Sequence, residues 1–99
     1  MSANEKKLAA VQAEIAVERA VTLGRAETRL CQALEAVRRF DAGELRSKKR
    51  DILLNEAAEA CLGYVIQRDA LGLPSAEIQE EYGVTDEIWN RMGATRPMH

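Results

Sequence analysis

Between residues 4 and 41 the chain has no proline and a single glycine, Gly24, while apolar side chains recur at Leu8, Val11, Ile15, Leu23, Ala26, Leu30, Ala33, Val37 and Phe40. That spacing predicts one long helix over about 4–41. At 1.5 Å per residue such a helix runs about 57 Å, whereas a compact chain of 99 residues is only about 33 Å across. The helix must therefore project from whatever globule the rest of the chain forms. A projecting apolar stripe is unfavourable in water, so either a second copy covers it or the helix breaks near Gly24. The expectation is a homodimer whose self-association surface is Leu8, Val11, Ile15 and Leu23. Small residues on a neighbouring face, Val17, Val21, Gly24, Thr28 and Cys31, predict a second helix packed closely there.

The remainder reads as helix as well. Sixteen alanines and only four aromatics favour helices with thin, closely spaced contacts over strands. Asp41-Ala42-Gly43-Glu44 closes the first helix, and a second is expected over 46–71, ended by Gly72 in a left-handed conformation. The seven apolar residues 60–66 mark its deepest point, with Gly63 placed for close approach to the first helix. Pro74-Ser75-Ala76-Glu77 and Thr85-Asp86-Glu87 start two short helices, 75–82 and 86–92, closed by Gly83 and Gly93. Leu73, Ile78, Tyr82, Val84, Ile88, Trp89 and Met92 are spaced to fold these back as a cap, leaving 94–99 as a frayed tail. The expected fold is a single all-α domain over 1–99: a long antiparallel helical hairpin capped by two short C-terminal helices.

Charge and rare residues narrow the function. A net charge of −2 argues against a bulk nucleic-acid binder, no apolar stretch approaches the roughly 20 residues of a membrane span, and the start Met1-Ser2-Ala3-Asn4-Glu5-Lys6-Lys7 leads into a charged helix rather than the apolar region of a secretory signal; a cytoplasmic location is expected. Residues 38–50 nevertheless hold six bases, Arg38, Arg39, Arg46, Lys48, Lys49 and Arg50, against Asp41 and Glu44, while 51–99 hold nine acids against three bases. This basic hairpin tip is the candidate surface for phosphate or an acidic partner, including the acidic cap of a second subunit. Cys31 and Cys61 lack the spacing of a metal knuckle or redox pair and are expected to be buried, reduced core residues. His99 is terminal and poorly placed for catalysis. No metal, no cofactor and no catalytic set is expected, with Tyr64 satisfying its hydroxyl at the core edge near Glu56, Gln67 and Arg68.

Three resemblances bear on these readings. Residues 78–92, with the turn Gly83-Val84-Thr85, resemble the helix-turn-helix of bacterial regulators, but 75–92 carry five acids and one base, which a phosphate-lined groove repels. A structural cap is the expected role. In outline, a small all-helical dimer with a very long first helix is similar to the helical chorismate mutases, whose arginine clamps only Arg19, Arg38, Arg39 and Arg50 could imitate. From Ala9 to Gly93, the stretches Leu54-Asn55-Glu56-Ala57-Ala58-Glu59-Ala60, Gln67-Arg68-Asp69, Tyr82-Gly83-Val84 and Arg91-Met92-Gly93 resemble a family of small uncharacterised bacterial helical proteins. That resemblance implies a helical domain and no transferable activity. The expectation is a non-catalytic homodimeric interaction or adaptor module; the alternative is a nucleic-acid-binding or regulatory protein using the basic tip and the helix-turn-helix-like tail.

Overall fold

Ser2 opens the first helix by a reciprocal cap. Its Oγ accepts from the Glu5 amide at 3.2 Å, and the Glu5 carboxylate accepts from the Ser2 amide at 3.1 Å, so two donors that the helix cannot use internally are satisfied at once. From this start the computed structural model, which describes residues 2–95, has α1 over Ala3–Asp41, unbroken through Gly24. Arg38 and Arg39 sit in the last turn, where the helix dipole favours cations. The Glu44 amide donates back to the Arg39 carbonyl at 2.8 Å across Gly43, whose φ of +78° suits a residue without Cβ.

The second helix, α2, covers Arg50–Ala70 and starts four residues later than the sequence spacing predicts. Leu45 packs on the core from the connecting loop, and residues 46–49 carry the chain back to Lys49, whose carbonyl accepts the first amides of α2. Gly72 ends α2 with the expected left-handed φ of +70°. The third helix, α3, is only Ile78–Tyr82, because Ser75 starts a single turn by accepting from the Ile78 amide at 3.3 Å. The fourth, α4, covers Asp86–Thr95, with the Thr85 hydroxyl accepting from the Ile88 amide at 3.3 Å. Gly93 does not close it, since a terminating glycine needs a positive φ and Gly93 lacks one. Residues 94 and 95 of the expected frayed tail belong to α4; 96–99 lie outside the described residues.

Helices α1 and α2 are antiparallel: Asp41 meets Arg50, Arg29 meets Glu59, and Glu27 meets Tyr64, so partner numbers rise as α1 numbers fall. Leu30, Leu34 and Val37 of α1 bury against Leu53, Leu54, Ala57, Ala58, Cys61, Tyr64 and Val65 of α2. Ile78, Val84, Ile88 and Met92 close the core as the predicted cap, with α4 lying on α2. Leu73, expected in the cap, is exposed. The fold is thus all-α, a long helical hairpin with short C-terminal helices, and no strand occurs among the described residues. It measures 61 × 33 × 21 Å with a radius of gyration of 17.5 Å, against about 13 Å for a compact chain of this length. The excess is α1.

Three sequence expectations fail because α2 and α1 each have fewer neighbours than the apolar pattern suggests. The run 60–66 is not buried on all sides: Ile66 is 55% exposed, since α2 is covered only by α1 and the cap. Gly63 makes no close approach, as a Cβ built there meets nothing within 4 Å. The small-residue face of α1 has no neighbour within the chain, and Cys31, which lies on it, is exposed, unlike the buried Cys61. A glycine in mid-helix with open space around it only costs backbone entropy. Gly63→Ala is expected to raise stability by about 0.5–1 kcal/mol, whereas Leu30→Ala, at 0% exposure, is expected to lower it by about 2–5 kcal/mol; urea titrations measure both.

Candidate functional site

Every described residue from 2 to 22 is exposed, and Leu23 is the first α1 side chain to pack against the core. Leu8 is 58% exposed, Val11 51% and Ile15 41%. These three continue the core-facing stripe of the same helix. At about 100° per residue, positions eighteen apart differ by about five whole turns, which puts Leu8 in line with Ala26 and Ile15 with Ala33; Val11 falls within about 20° of Phe40. Ala26, Ala33 and Phe40 pack on the core. The face that α2 covers over the second half of α1 therefore runs on uncovered over the first half. Of the expected self-association residues, Leu8, Val11 and Ile15 are available, and Leu23 is used in the chain's own core.

The six cations of the hairpin tip separate into tied and untied groups. Arg50 does most: its Nε donates to Asp41 Oδ1 at 2.8 Å, and its Nη2 and Nη1 donate to Glu87 Oε1 at 2.8 Å and Oε2 at 3.0 Å. This guanidinium joins the end of α1 to the start of α4 from the first residue of α2. Hydrogen bonding to Arg50 holds both the Asp41 and Glu87 carboxyls below the usual carboxylate range, and the same bonds push the Arg50 pKa up. Arg38 pairs with Glu35 at 2.9 Å, Lys48 with Glu56 at 2.8 Å, and Arg39 lies 3.8 Å from Glu44. Among the described residues only Arg46 and Lys49 of the six lack an acid. Within one chain Arg50 alone of the six links the basic tip to an acid of the cap, Glu87. Arg91 of the helix-turn-helix-like segment is also engaged, donating to Asn55 at 2.8 Å and Asp51 at 3.1 Å. The arginines needed for a chorismate-mutase-like clamp do not converge: Arg19 stands on the exposed half of α1, and the other three are paired as above.

A polar cluster closes the other end of the hairpin. The Tyr64 and Tyr82 hydroxyls are 2.8 Å apart, their rings meet edge to face at 5.3 Å and 77°, and Glu27 Oε2 accepts from Tyr64 at 3.5 Å. The Arg68 guanidinium lies 5.6 Å from the Tyr64 ring centre and donates to its hydroxyl at 3.3 Å. Burial, followed by the bond to Tyr64, pushes the Tyr82 phenol up. The cluster ties α1, α2 and α3 where the uncovered half of α1 begins. The sequence reading located Tyr64 and Arg68 but grouped them with Glu56 and Gln67; Glu56 goes to Lys48 instead. Tyr82 and Glu27 were missed, being 18 and 37 residues from Tyr64, although Tyr82 was placed in the cap. Among the described residues no three His, Cys, Asp or Glu side chains gather as a metal site requires, and no helix is long and apolar enough to cross a membrane.

The Arg50 node makes stability depend on acid in a defined sense. Asp41 and Glu87 have folded pKa values below their unfolded ones, so their contribution is complete above the ordinary carboxylate pKa of about 4 and is lost as pH falls through the depressed folded values. Urea midpoints measured from pH 7 to pH 3 should fall in the wild type and fall less in Arg50→Met, with the difference reduced by salt because the pairs are solvent-exposed.

Neither a curated protein nor a solved structure matches the chain. A family model, described as a family of unknown function (DUF6665), matches residues 1–98. Since that match takes in the long helix, the tied tip and the cap together, the protein belongs to the DUF6665 family of unknown function.

Proposed function

We propose that the protein is a non-catalytic, homodimeric interaction module whose working surface is the uncovered half of α1. One observation carries this reading: the apolar stripe Leu8, Val11 and Ile15 lies in line with the stripe that packs against α2, yet no part of the same chain reaches it. The chain holds a capped helix of about 30 Å in solvent over residues 3–22, and the burial of its apolar face by another helix is the favourable step that remains. The ionisable groups support a structural role for the remainder, as Arg50 and Arg91 are each committed to bonds that join helices, and Arg68 donates to the Tyr64 hydroxyl that meets Tyr82.

The nucleic-acid reading of the hairpin tip is the weaker one. Four of its six cations face acids of the same chain, and phosphate would have to displace them. The segment resembling a helix-turn-helix spends Ile88 and Met92 on the core and begins α4 with Asp86 and Glu87.

Introducing charge into the stripe separates a dimer surface from a solvated face. The double substitution Leu8→Glu, Ile15→Glu is expected to weaken self-association by about 100-fold or more, from the lost apolar burial and the desolvation of two carboxylates. Light scattering should then give the mass of one chain, with helix content by circular dichroism retained. Val17→Glu, on the opposite side of the same helix, should leave the mass unchanged. A wild-type protein that is already a single chain at high concentration contradicts the proposal.

A further inference from the structure

We infer that the two copies pair antiparallel, each uncovered α1 half filling the row beyond the other's α2; this rests on the dimer reading above and fixes its geometry. Sterics select the direction. Leu8, Val11 and Ile15 lie on the α1 face that α2 covers further along. If two copies met through this face in parallel, both α2 helices would have to occupy the space between the two α1 helices, where helix axes stand only about 8–10 Å apart. Reversing one copy removes the collision. Its α2 then lies beyond the N-terminus of the first α1, and its residues 3–22 run along the first copy's residues 3–22 in the row where the first copy's α2 has ended near Leu71. Each α1 is covered along its length, over its second half by its own α2 and over its first half by the second copy.

The edges of the stripe carry charges complementary to those of a second copy. Viewed down the helix, one edge of the stripe carries Glu5 near the start and Arg19 near the end, and the other edge carries Lys7 near the start and Glu14 and Glu18 later. An antiparallel pair brings the start of each edge to the end of the same edge on the second copy. Overlap of residues 3–22 places the two-fold axis between Gln12 and Ala13, which sets Lys7 opposite Glu18 of the second copy and Glu5 beside its Arg19. Both contacts are repeated by the two-fold, as an isologous interface requires. Glu14 lies near the axis, within reach of the same Lys7. A parallel pair would bring opposite edges together, Lys7 beside Glu5 and Glu18 beside Arg19 of the second copy, so the charges fit a second copy as the occupant and sterics set its direction.

Single cysteines read the orientation directly. In a Cys31→Ser background, which removes the exposed thiol and keeps the buried Cys61, Gln12→Cys is expected to cross-link to itself with a short bis-maleimide. Asn4→Cys alone and Thr22→Cys alone are not, because each is about 25 Å or more along the axis from its copy. A mixture of Asn4→Cys and Thr22→Cys chains is expected to cross-link between the two. Self-cross-linking of Asn4→Cys, with the mass of a dimer, would overturn the antiparallel arrangement and leave the dimer intact. The mass of a single chain without cross-linker would overturn the dimer reading itself. Lys7→Glu should weaken the dimer, and Lys7→Glu combined with Glu14→Lys and Glu18→Lys should restore it; failure of that rescue would count against the pairing of edges.

Discussion

Everything in this structure depends on a mismatch of length: α1 has 39 residues and α2, which covers it, has 21. The contact between them is ordinary in kind, with Leu30, Leu34 and Val37 set into the alanines, leucines and Cys61 of α2. Alanines at 57, 58 and 60 allow close approach, and the burial of these thin side chains is the main favourable term. Because α2 stops near the middle of α1, the core stops there too. Beyond Leu23 no α1 side chain toward the N-terminus is shielded, even though the apolar stripe continues in line.

The two polar assemblies sit at the ends of the covered half. At one end Arg50 joins α1, α2 and α4 through Asp41 and Glu87; at the other the Tyr64–Tyr82 pair, with Glu27 and Arg68, joins α1, α2 and α3. Exposed ion pairs contribute little each, and the value of these lies in their geometry: the Arg50 guanidinium and the two phenols each reach another helix. They hold the cap on the hairpin and thereby fix where the covered half of α1 begins and ends. Of the basic tip that stands out in the sequence, Arg50 is the member that forms this clamp, while Arg38, Arg39 and Lys48 pair with other acids of the chain.

Local features were legible before the structure. The proline-free run predicted α1 to its end at Asp41, Gly43 and Gly72 adopted the left-handed conformations expected of helix-ending glycines, and the cap residues Ile78, Val84, Ile88 and Met92 were read from their spacing. What was not legible needed knowledge of the third dimension. Gly63 looked like a close-contact position, but the helix side it occupies faces no neighbour. Gly93 looked like a stop, yet the sequence does not show whether a glycine takes a positive or negative φ. The candidate surfaces fared in the same way: Leu8, Val11 and Ile15 were found by period alone, whereas the partners of Arg50 and Tyr64, up to 37 residues away, depend on how the cap folds back.

The central claim is that the uncovered half of α1 is completed by a second copy lying antiparallel. Small-angle X-ray scattering of the unmodified protein tests it most directly, because two 61 Å molecules overlapped along about 30 Å of helix make a particle far longer than either. The account predicts a maximum dimension of about 90 Å together with the mass of two chains. A maximum near 60 Å with the mass of one chain would contradict it.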